Sequence, residues 1–208
     1  MNAVDLHRKL ERNSGLLIFG ILLVSAIGGL VQVLPSVLQD DLVTPGPGTQ
    51  PYGPVELIGR DLYIREGCST CHSQQVRPLL AEVKRYGPYS KAGESAYDRP
   101  FLWGSKRTGP DLHRIGGKYT DLWQRMHLLD PRSVVPDSIM PGYPWLAERA
   151  ADADGSIQAR MRALRRLGHP YTEAEIEAAP AALAGLAEVD ALVAYLQSLR
   201  PPNAEATP

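Results

Sequence analysis

Cysteine is scarce in this chain, and neither sign of charge is in excess. The 208 residues include only two cysteines, which excludes a small domain stabilised by several disulfides. Lysine and arginine number 22 against 23 acidic residues, a balance that argues against nucleic acid as a partner. With 22% charged and 44% hydrophobic residues, the chain is neither a disordered protein nor one with many membrane spans.

Long apolar sequence is confined to a single uncharged run near the N-terminus, Gly15 to Leu34. A helix of this length is about 30 Å long, which matches the hydrocarbon thickness of a bilayer. We therefore predict an uncleaved membrane anchor over residues 15–38, with a signal peptide cleaved after Ala26 as the alternative. Basic residues precede the run and acidic residues follow it. The positive-inside rule then predicts a cytoplasmic N-terminus, residues 1–14, and export of the rest.

The sequence after the anchor predicts a linker, one helical domain and a tail. Residues 39–53 are rich in proline and glycine and predict a stiff spacer, and residues 201–208 predict a disordered tail. Residues 54–200 show helical periodicity without convincing strand alternation, so we predict a mainly α domain with long loops. The predicted helices cover residues 54–66, 121–129, 157–167 and 188–199, with a capping box at Thr172 and Glu175 before a further helix.

Both cysteines belong to one short motif, Cys68-Ser-Thr-Cys71-His72. This spacing puts two thiols on one side of a turn, where each can bond a vinyl group of haem while His72 lies against the iron. The pattern is typical of c-type haem attachment, and it predicts one covalent haem c. A redox-active cysteine pair would normally lie in a βαβ context, and a zinc site would need further ligands at suitable spacing.

A haem that only transfers electrons needs a second axial ligand besides His72. The candidates are Met126, Met140, Met161, His113, His127 and His169. Met140 lies in a proline-rich loop that would hold its sulfur in place, so we predict Met140 as the ligand and keep His127 as the alternative. Met126 and Met161 lie in predicted helices, where methionine usually fills the core. His169 precedes a proline and is predicted to be a surface residue.

The segment Thr108-Gly109-Pro110-Asp111-Leu112 resembles the Thr-Gly-Pro loop of class I cytochromes c. In that class the proline carbonyl accepts a hydrogen bond from the histidine that binds the iron. The resemblance implies that Pro110 is the hydrogen-bond partner of His72, since such histidines normally donate their other ring N–H to an oxygen. It also implies a class I cytochrome c-like domain.

Longer stretches identify a more specific resemblance. They are GCSTCHSQQVRP (67–78), RYGPYSKAGESAYDRPFLWGSKRTGPDL (85–112), HLLDPRSVVPDSIMPGYPWL (127–146) and DALVAYLQSL (190–199). The chain resembles the membrane-anchored monohaem cytochrome c subunit (CcoO/FixO) of cbb3-type cytochrome c oxidases. The resemblance implies a bacterial inner-membrane protein without an oxygen-reducing site of its own. It would take electrons from a dihaem cytochrome c subunit or a soluble cytochrome c and pass them to the catalytic haem-copper subunit.

Residues 73–107 predict a long loop rich in aromatic and basic side chains, which favours a partner interface. The alternative is that its aromatic residues pack on the haem and its arginines contact the propionates. The side chains concerned are Arg77, Arg99, Trp103, Lys106 and Arg107. The family resemblance further implies a calcium ion at the interface with the catalytic subunit, with Ser105 contributing.

Two other functions stay open at this point. The small cytochrome c subunit of nitric oxide reductase has the same plan of an anchor followed by a haem domain. A membrane-tethered thiol-disulfide oxidoreductase would use Cys68 and Cys71 as free thiols. The long loop favours the oxidase subunit over the nitric oxide reductase subunit, and haem staining would exclude the oxidoreductase.

Overall fold

The N-terminal part of the chain forms a compact unit of two helices. The computed structural model describes residues 2–38 and 44–200 and separates two units, with the boundary in sequence between residues 44 and 45. The first unit contains α1 (Ala3–Glu11) and α2 (Ser14–Leu38). The stretch Ser14–Pro35 of α2 has a mean hydropathy of 2.5 and is long and apolar enough to cross a membrane. It coincides with the run from which the anchor was predicted.

The secondary structure of the second unit is helical. Its α-helices are α3 (Pro54–Arg65), α4 (Leu80–Tyr86), α5 (Asp121–Leu129), α6 (Ile157–Arg166), α7 (Glu173–Leu183) and α8 (Glu188–Ser198). Short 3-10 helices occur at Cys68–Thr70, Ala92–Ser95, Pro131–Ser133 and Pro144–Ala147. Within residues 44–200 no strand is formed, and β-type pairing is limited to one isolated bridge between Ala150 and Ala187. The mainly α fold predicted from the sequence is therefore confirmed.

The first and last helices of this unit, α3 and α8, pack directly against each other. Gly59 lies at their contact, where an added Cβ would be 2.6 Å from Cβ of Tyr195 and 2.7 Å from the carbonyl carbon of Ala191. Only glycine permits this approach, because any side chain would push the helices apart. Tyr63 and Tyr195 are buried beside the contact and meet edge to face, with ring centroids 5.6 Å apart.

Two apolar clusters complete the core around α3 and α8. One cluster joins α3 to α6 and α7 and includes Ile157, Met161 and Ile176, which are almost completely buried. The other joins α8 to α5 and to the loop after it, through Leu128 and Leu146. The second cluster matters for function, because the cysteine motif packs against it.

Most predicted helices are confirmed, and so is the capping box before α7. There the Glu175 N–H donates to Thr172 Oγ1, and the Thr172 N–H donates to the Glu175 carboxylate. The prediction of a long loop over residues 73–107 is wrong in part, since α4 and a 3-10 helix occur there. Both are no more than seven residues long, too short to produce a readable periodicity. The predicted tail, 201–208, and residues 39–43 of the predicted linker lie outside the described residues.

The predicted burial is wrong for two side chains, His169 and Met126. His169 is only 4% exposed and is stacked near Tyr97 and Tyr171, with ring centroids 5.3 and 5.8 Å away, so the surface prediction is wrong. Met126 is 41% exposed, so the core prediction is wrong for it, whereas Met161 is buried as predicted. Whether each of these two side chains is buried depends on whether a residue distant in sequence packs on it, which the sequence does not reveal.

Candidate functional site

The cysteine motif forms a tight turn directly after α3. The helix ends at Arg65, and Gly67 takes up a left-handed conformation with φ of 74°, which lets the chain reverse. The His72 N–H then donates to the carbonyl of Cys68 at 2.9 Å, closing the turn. Cys68 is half-buried and Cys71 is exposed, and no disulfide joins them. The turn thus holds both thiols and the imidazole on one short, fixed segment.

The imidazole of His72 is oriented by the loop that contains Pro110. Its Nδ1 donates to the Pro110 carbonyl at 2.8 Å, which leaves Nε2 as the nitrogen available to a metal. Gly109 lies against the ring: an added Cβ would be 2.6 Å from Nδ1 and 2.8 Å from Nε2. The hydrogen bond between His72 and Pro110 is the one that the resemblance to class I cytochromes c implies. The imidazole can take this position because residue 109 has no side chain.

Backbone hydrogen bonds hold the two segments in register. The N–H groups of Thr108 and Gly109 both donate to the Cys71 carbonyl at 2.9 Å. The Leu112 N–H donates to the Ser73 carbonyl, also at 2.9 Å. The contact between His72 and Pro110 is therefore bracketed by main-chain bonds on either side.

Met140 is held by the loop that follows α5. Its N–H donates to Ser138 Oγ at 3.2 Å, and the Tyr143 N–H donates to the Leu128 carbonyl at 2.9 Å, which fastens the loop to the end of α5. Met140 and Cys68 both pack against the apolar cluster centred on α8. The fold therefore brings the predicted sulfur ligand and the cysteine motif, far apart in sequence, to the same part of the core.

The side chains around the motif form an apolar wall. Those that are partly buried against the α8 cluster include Cys68, Leu112, Ile115, Leu129, Met140, Tyr143 and Trp145. Burial, with a smaller effect of Glu66, raises the pKa of the Cys68 thiol to about 12. A thiol with so high a pKa is a poor nucleophile at neutral pH, so Cys68 itself is not suited to start thiol-disulfide exchange. Two thiols, an imidazole nitrogen and a thioether beside an apolar wall are a donor set that fits haem c.

The other ligand candidates differ in how the fold places them. His113 is buried, and its Nδ1 is bonded to Ser90 Oγ at 2.5 Å, while Met161 lies in the core. His127 stacks on Trp123 with ring centroids 4.8 Å apart, and its buried Nδ1 has no hydrogen-bond partner. Burial and the nearby charge of His72 lower the pKa of His127. His127 therefore remains the alternative to Met140.

Three of the side chains predicted to contact a partner or the propionates are held within the loop. The guanidinium of Arg107 pairs with Glu82 at 2.6 Å, and its side chain is 15% exposed. Trp103 Nε1 donates to Ser95 Oγ at 3.2 Å. Arg99 lies at the surface and donates to backbone carbonyls of its own loop. Arg107 in particular is occupied by structural contacts.

The remaining predicted contact residues are accessible. Arg77 donates to the Ser105 carbonyl at 3.3 Å with a side chain that is 41% exposed, and Ser105 and Lys106 are exposed. Within the described residues, no group of three or more histidine, cysteine or acidic side chains could hold a metal ion.

Sequence reasoning missed two residues that build the site. Gly109 provides the space for the imidazole, and Asp111 is buried behind the loop, bonded to Ser73 and to the Gln75 N–H. Both belong to the quoted Thr-Gly-Pro-Asp segment, so the only available signal was their place beside Pro110. Their contacts become visible only when residues 72–75 and 108–113 are brought together.

A helical domain with a Cys-x-x-Cys-His turn, a histidine oriented by a proline carbonyl and a methionine loop defines the class of c-type cytochromes. The chain belongs to the family described as cytochrome c oxidase, mono-heme subunit/FixO, whose sequence model matches residues 7–187. No curated protein shows a significant match. Membership makes the chain a membrane-anchored mono-haem cytochrome c subunit of a cbb3-type oxidase, in a complex with a catalytic subunit.

Proposed function

We propose that the chain is the electron-transfer subunit of the oxidase and carries one haem c bound through thioether bonds at Cys68 and Cys71. His72 and Met140 supply the axial ligands. The observation that supports this most directly is the hydrogen bond from His72 Nδ1 to the Pro110 carbonyl, at 2.8 Å. It fixes the tautomer in which Nε2 is an unprotonated ligand.

The ligand set supports a carrier and not a catalyst. A haem bound by histidine and methionine exchanges single electrons at a raised reduction potential and offers no open coordination position. His72 is held by Pro110, and Met140 by the loop fastened to Leu128. Oxygen reduction then belongs to the haem-copper subunit, and this chain delivers electrons to it.

For the route of the electrons, we propose a dihaem cytochrome c subunit or a soluble cytochrome c as donor and the haem b of the catalytic subunit as acceptor. The exposed side chains of Arg77, Ser105 and Lys106 would form part of the contact with the catalytic subunit. A calcium ion at that contact would need oxygen ligands from both subunits, with Ser105 as the contribution of this chain.

The topology we propose has the N-terminus, residues 1–14, in the cytoplasm and the cytochrome domain, residues 54–200, in the periplasm of a bacterial inner membrane. Arg8, Lys9 and Arg12 precede the apolar helix, and no lysine or arginine follows it until Arg60. Sequencing the N-terminus of the mature subunit tests the anchor, because a start after Ala26 would mean that the helix is removed.

Haem attachment is tested on the complex purified from membranes. Haem staining of this subunit after denaturing electrophoresis is the expected result, since thioether bonds survive denaturation. A subunit with free thiols and no stain would instead support the thiol-disulfide oxidoreductase. Nitric oxide reduction by the purified complex, with no oxygen reduction, would support the other alternative.

The axial ligand is tested by replacing Met140→Leu and, as a matched control, Met126→Leu. Met126 is an exposed methionine on α5, so its replacement changes the same atoms away from the ligand position. We expect Met140→Leu to abolish the methionine–iron charge-transfer band of the oxidised protein and Met126→Leu to retain it. If the band persists in Met140→Leu, Met140 is not the ligand.

A further inference from the structure

Asp111 is a buried carboxylate next to the residue that orients the imidazole. It is 4% exposed. Its Oδ2 accepts from Ser73 Oγ at 2.6 Å, from the Gln75 N–H at 2.8 Å and from Arg107 Nη2 at 3.3 Å. Its Oδ1 accepts from the His113 N–H at 2.9 Å. A carboxylate with this many donors is held in one position.

These bonds attach Asp111 to both sides of the contact between His72 and Pro110. Ser73 directly follows His72, and Asp111 directly follows Pro110. A displacement of the Pro110 carbonyl would therefore stretch the bond between Asp111 and Ser73, and a displacement of His72 would do the same. The carboxylate acts as a brace across the two segments.

The charge of Asp111 is only partly neutralised. Arg107 is the cation beside it, but Arg107 also forms a two-point contact with Glu82, with distances of 2.6 and 2.8 Å. Since those bonds are shorter than the 3.3 Å to Asp111, Glu82 takes the larger share of the guanidinium charge. Arg77 also lies 3.8 Å from Glu82, so the cluster is balanced as a whole, and its carboxylate nearest to Pro110 in the chain is that of Asp111.

We infer that Asp111 is a positioning residue that holds the Pro110 carbonyl on His72 Nδ1 and lowers the reduction potential of the bound haem through its negative charge. The inference rests on the proposed function, because it takes His72 as the axial ligand. A negative charge behind the imidazole increases the electron density at Nε2 and favours the oxidised iron. Asp111 would then tune the potential of the carrier without touching the haem.

The test is a redox titration of the haem absorption in the purified oxidase with Asp111→Asn, which keeps the shape and removes the charge. We expect the oxidised-to-reduced equilibrium to shift about tenfold toward the reduced form, or about 59 mV for one electron. The matched control is Asp98→Asn, a buried carboxylate that is 6% exposed and is paired with Arg60 instead of the motif. We expect it to shift the equilibrium less than about twofold, which is well below the change for Asp111.

A second variant keeps the inference testable if Asp111→Asn does not accumulate. Glu82→Gln frees Arg107 to pair with Asp111 alone, so it should move the equilibrium in the same direction by a smaller factor. An unchanged potential in haem-loaded Asp111→Asn, or equal shifts in the Asp111 and Asp98 variants, would overturn the inference. An unchanged Glu82→Gln would do so where the first variant fails to assemble. Absence of haem from the wild-type subunit would instead overturn the proposed function.

Discussion

A single methyl group placed on residue 109 tests whether the imidazole is held as described. The added Cβ of Gly109→Ala would lie 2.6 Å from Nδ1 and 2.8 Å from Nε2 of His72. Non-bonded carbon and nitrogen atoms need about 3.5 Å, so the ring or the loop must move by about 1 Å. Neither can move freely, because the Gly109 N–H is bonded to the Cys71 carbonyl at 2.9 Å.

The size of the effect follows from what such a movement breaks. A shift of about 1 Å would lengthen the bond from Nδ1 to the Pro110 carbonyl, now 2.8 Å, beyond hydrogen-bond distance. The loss of that bond costs about 1 kcal/mol, and overpacking adds about 1–3 kcal/mol. For a chain of this size, the sum corresponds to a thermal midpoint lower by about 5–15 °C.

The assay compares thermal unfolding and the spectrum of the oxidised haem in the full chain. Gly46→Ala is the control, since an added Cβ there meets its neighbours at ordinary distances of 3.4 Å or more. We expect Gly109→Ala to lower the midpoint and weaken the methionine–iron band while haem staining persists, and Gly46→Ala to resemble the wild type. A Gly109→Ala protein with the wild-type midpoint and spectrum would refute the placement of His72 against this loop.

Three further predictions concern the scaffold. Gly59→Ala should lower the unfolding free energy by about 3 kcal/mol or more, measured by denaturant unfolding, because its Cβ would meet α8. Thr172→Ala should cost about 1 kcal/mol in the same assay through loss of the α7 cap. Burial and the charges of Arg99 and Arg60 lower the pKa of His169 to about 4, so unfolding, which restores an ordinary pKa near 6.5, becomes easier as the pH falls. His169→Phe should therefore lose less stability than the wild type between pH 6.5 and 4, by about 3 kcal/mol.

Each of these predictions has an outcome that would contradict it. Gly59→Ala with wild-type stability would mean that α3 and α8 do not meet at that residue. Thr172→Ser keeps the capping hydroxyl, so equal losses in the alanine and serine variants would exclude the cap as the cause. An acid-induced loss as large in His169→Phe as in the wild type would show that His169 is not buried in its neutral form.

The parts of the protein that could be predicted from sequence are those specified by neighbours in the chain. The cysteine turn depends on a spacing of three residues, and the cap of α7 on Thr172 and Glu175. The apolar run of α2 can be recognised from its length and composition. In the cysteine turn and the cap of α7, the interacting residues are three or four positions apart, so the local sequence is enough to predict the interaction.

What sequence reasoning missed depends on contacts between distant segments. His169 is buried because Tyr97, more than seventy residues earlier, packs on it. Asp111 is a structural brace because Ser73 and Gln75 lie beside it, about forty residues away in the chain. Nothing local distinguishes either from an ordinary loop residue, and only the folded arrangement assigns them a role.

The helices that close the cytochrome domain stand at opposite ends of its sequence, with consequences for the order in which the protein matures. Chains are synthesised from the N-terminus, so α3 and the cysteine turn exist more than a hundred residues before α8. The cluster that buries Cys68 is built largely from α8. Until the chain is nearly complete, the thiol of Cys68 has no core to enter and retains the ordinary reactivity of an exposed cysteine. The covalent attachment proposed at this position would therefore have to take place on the nascent chain, before the final helix packs.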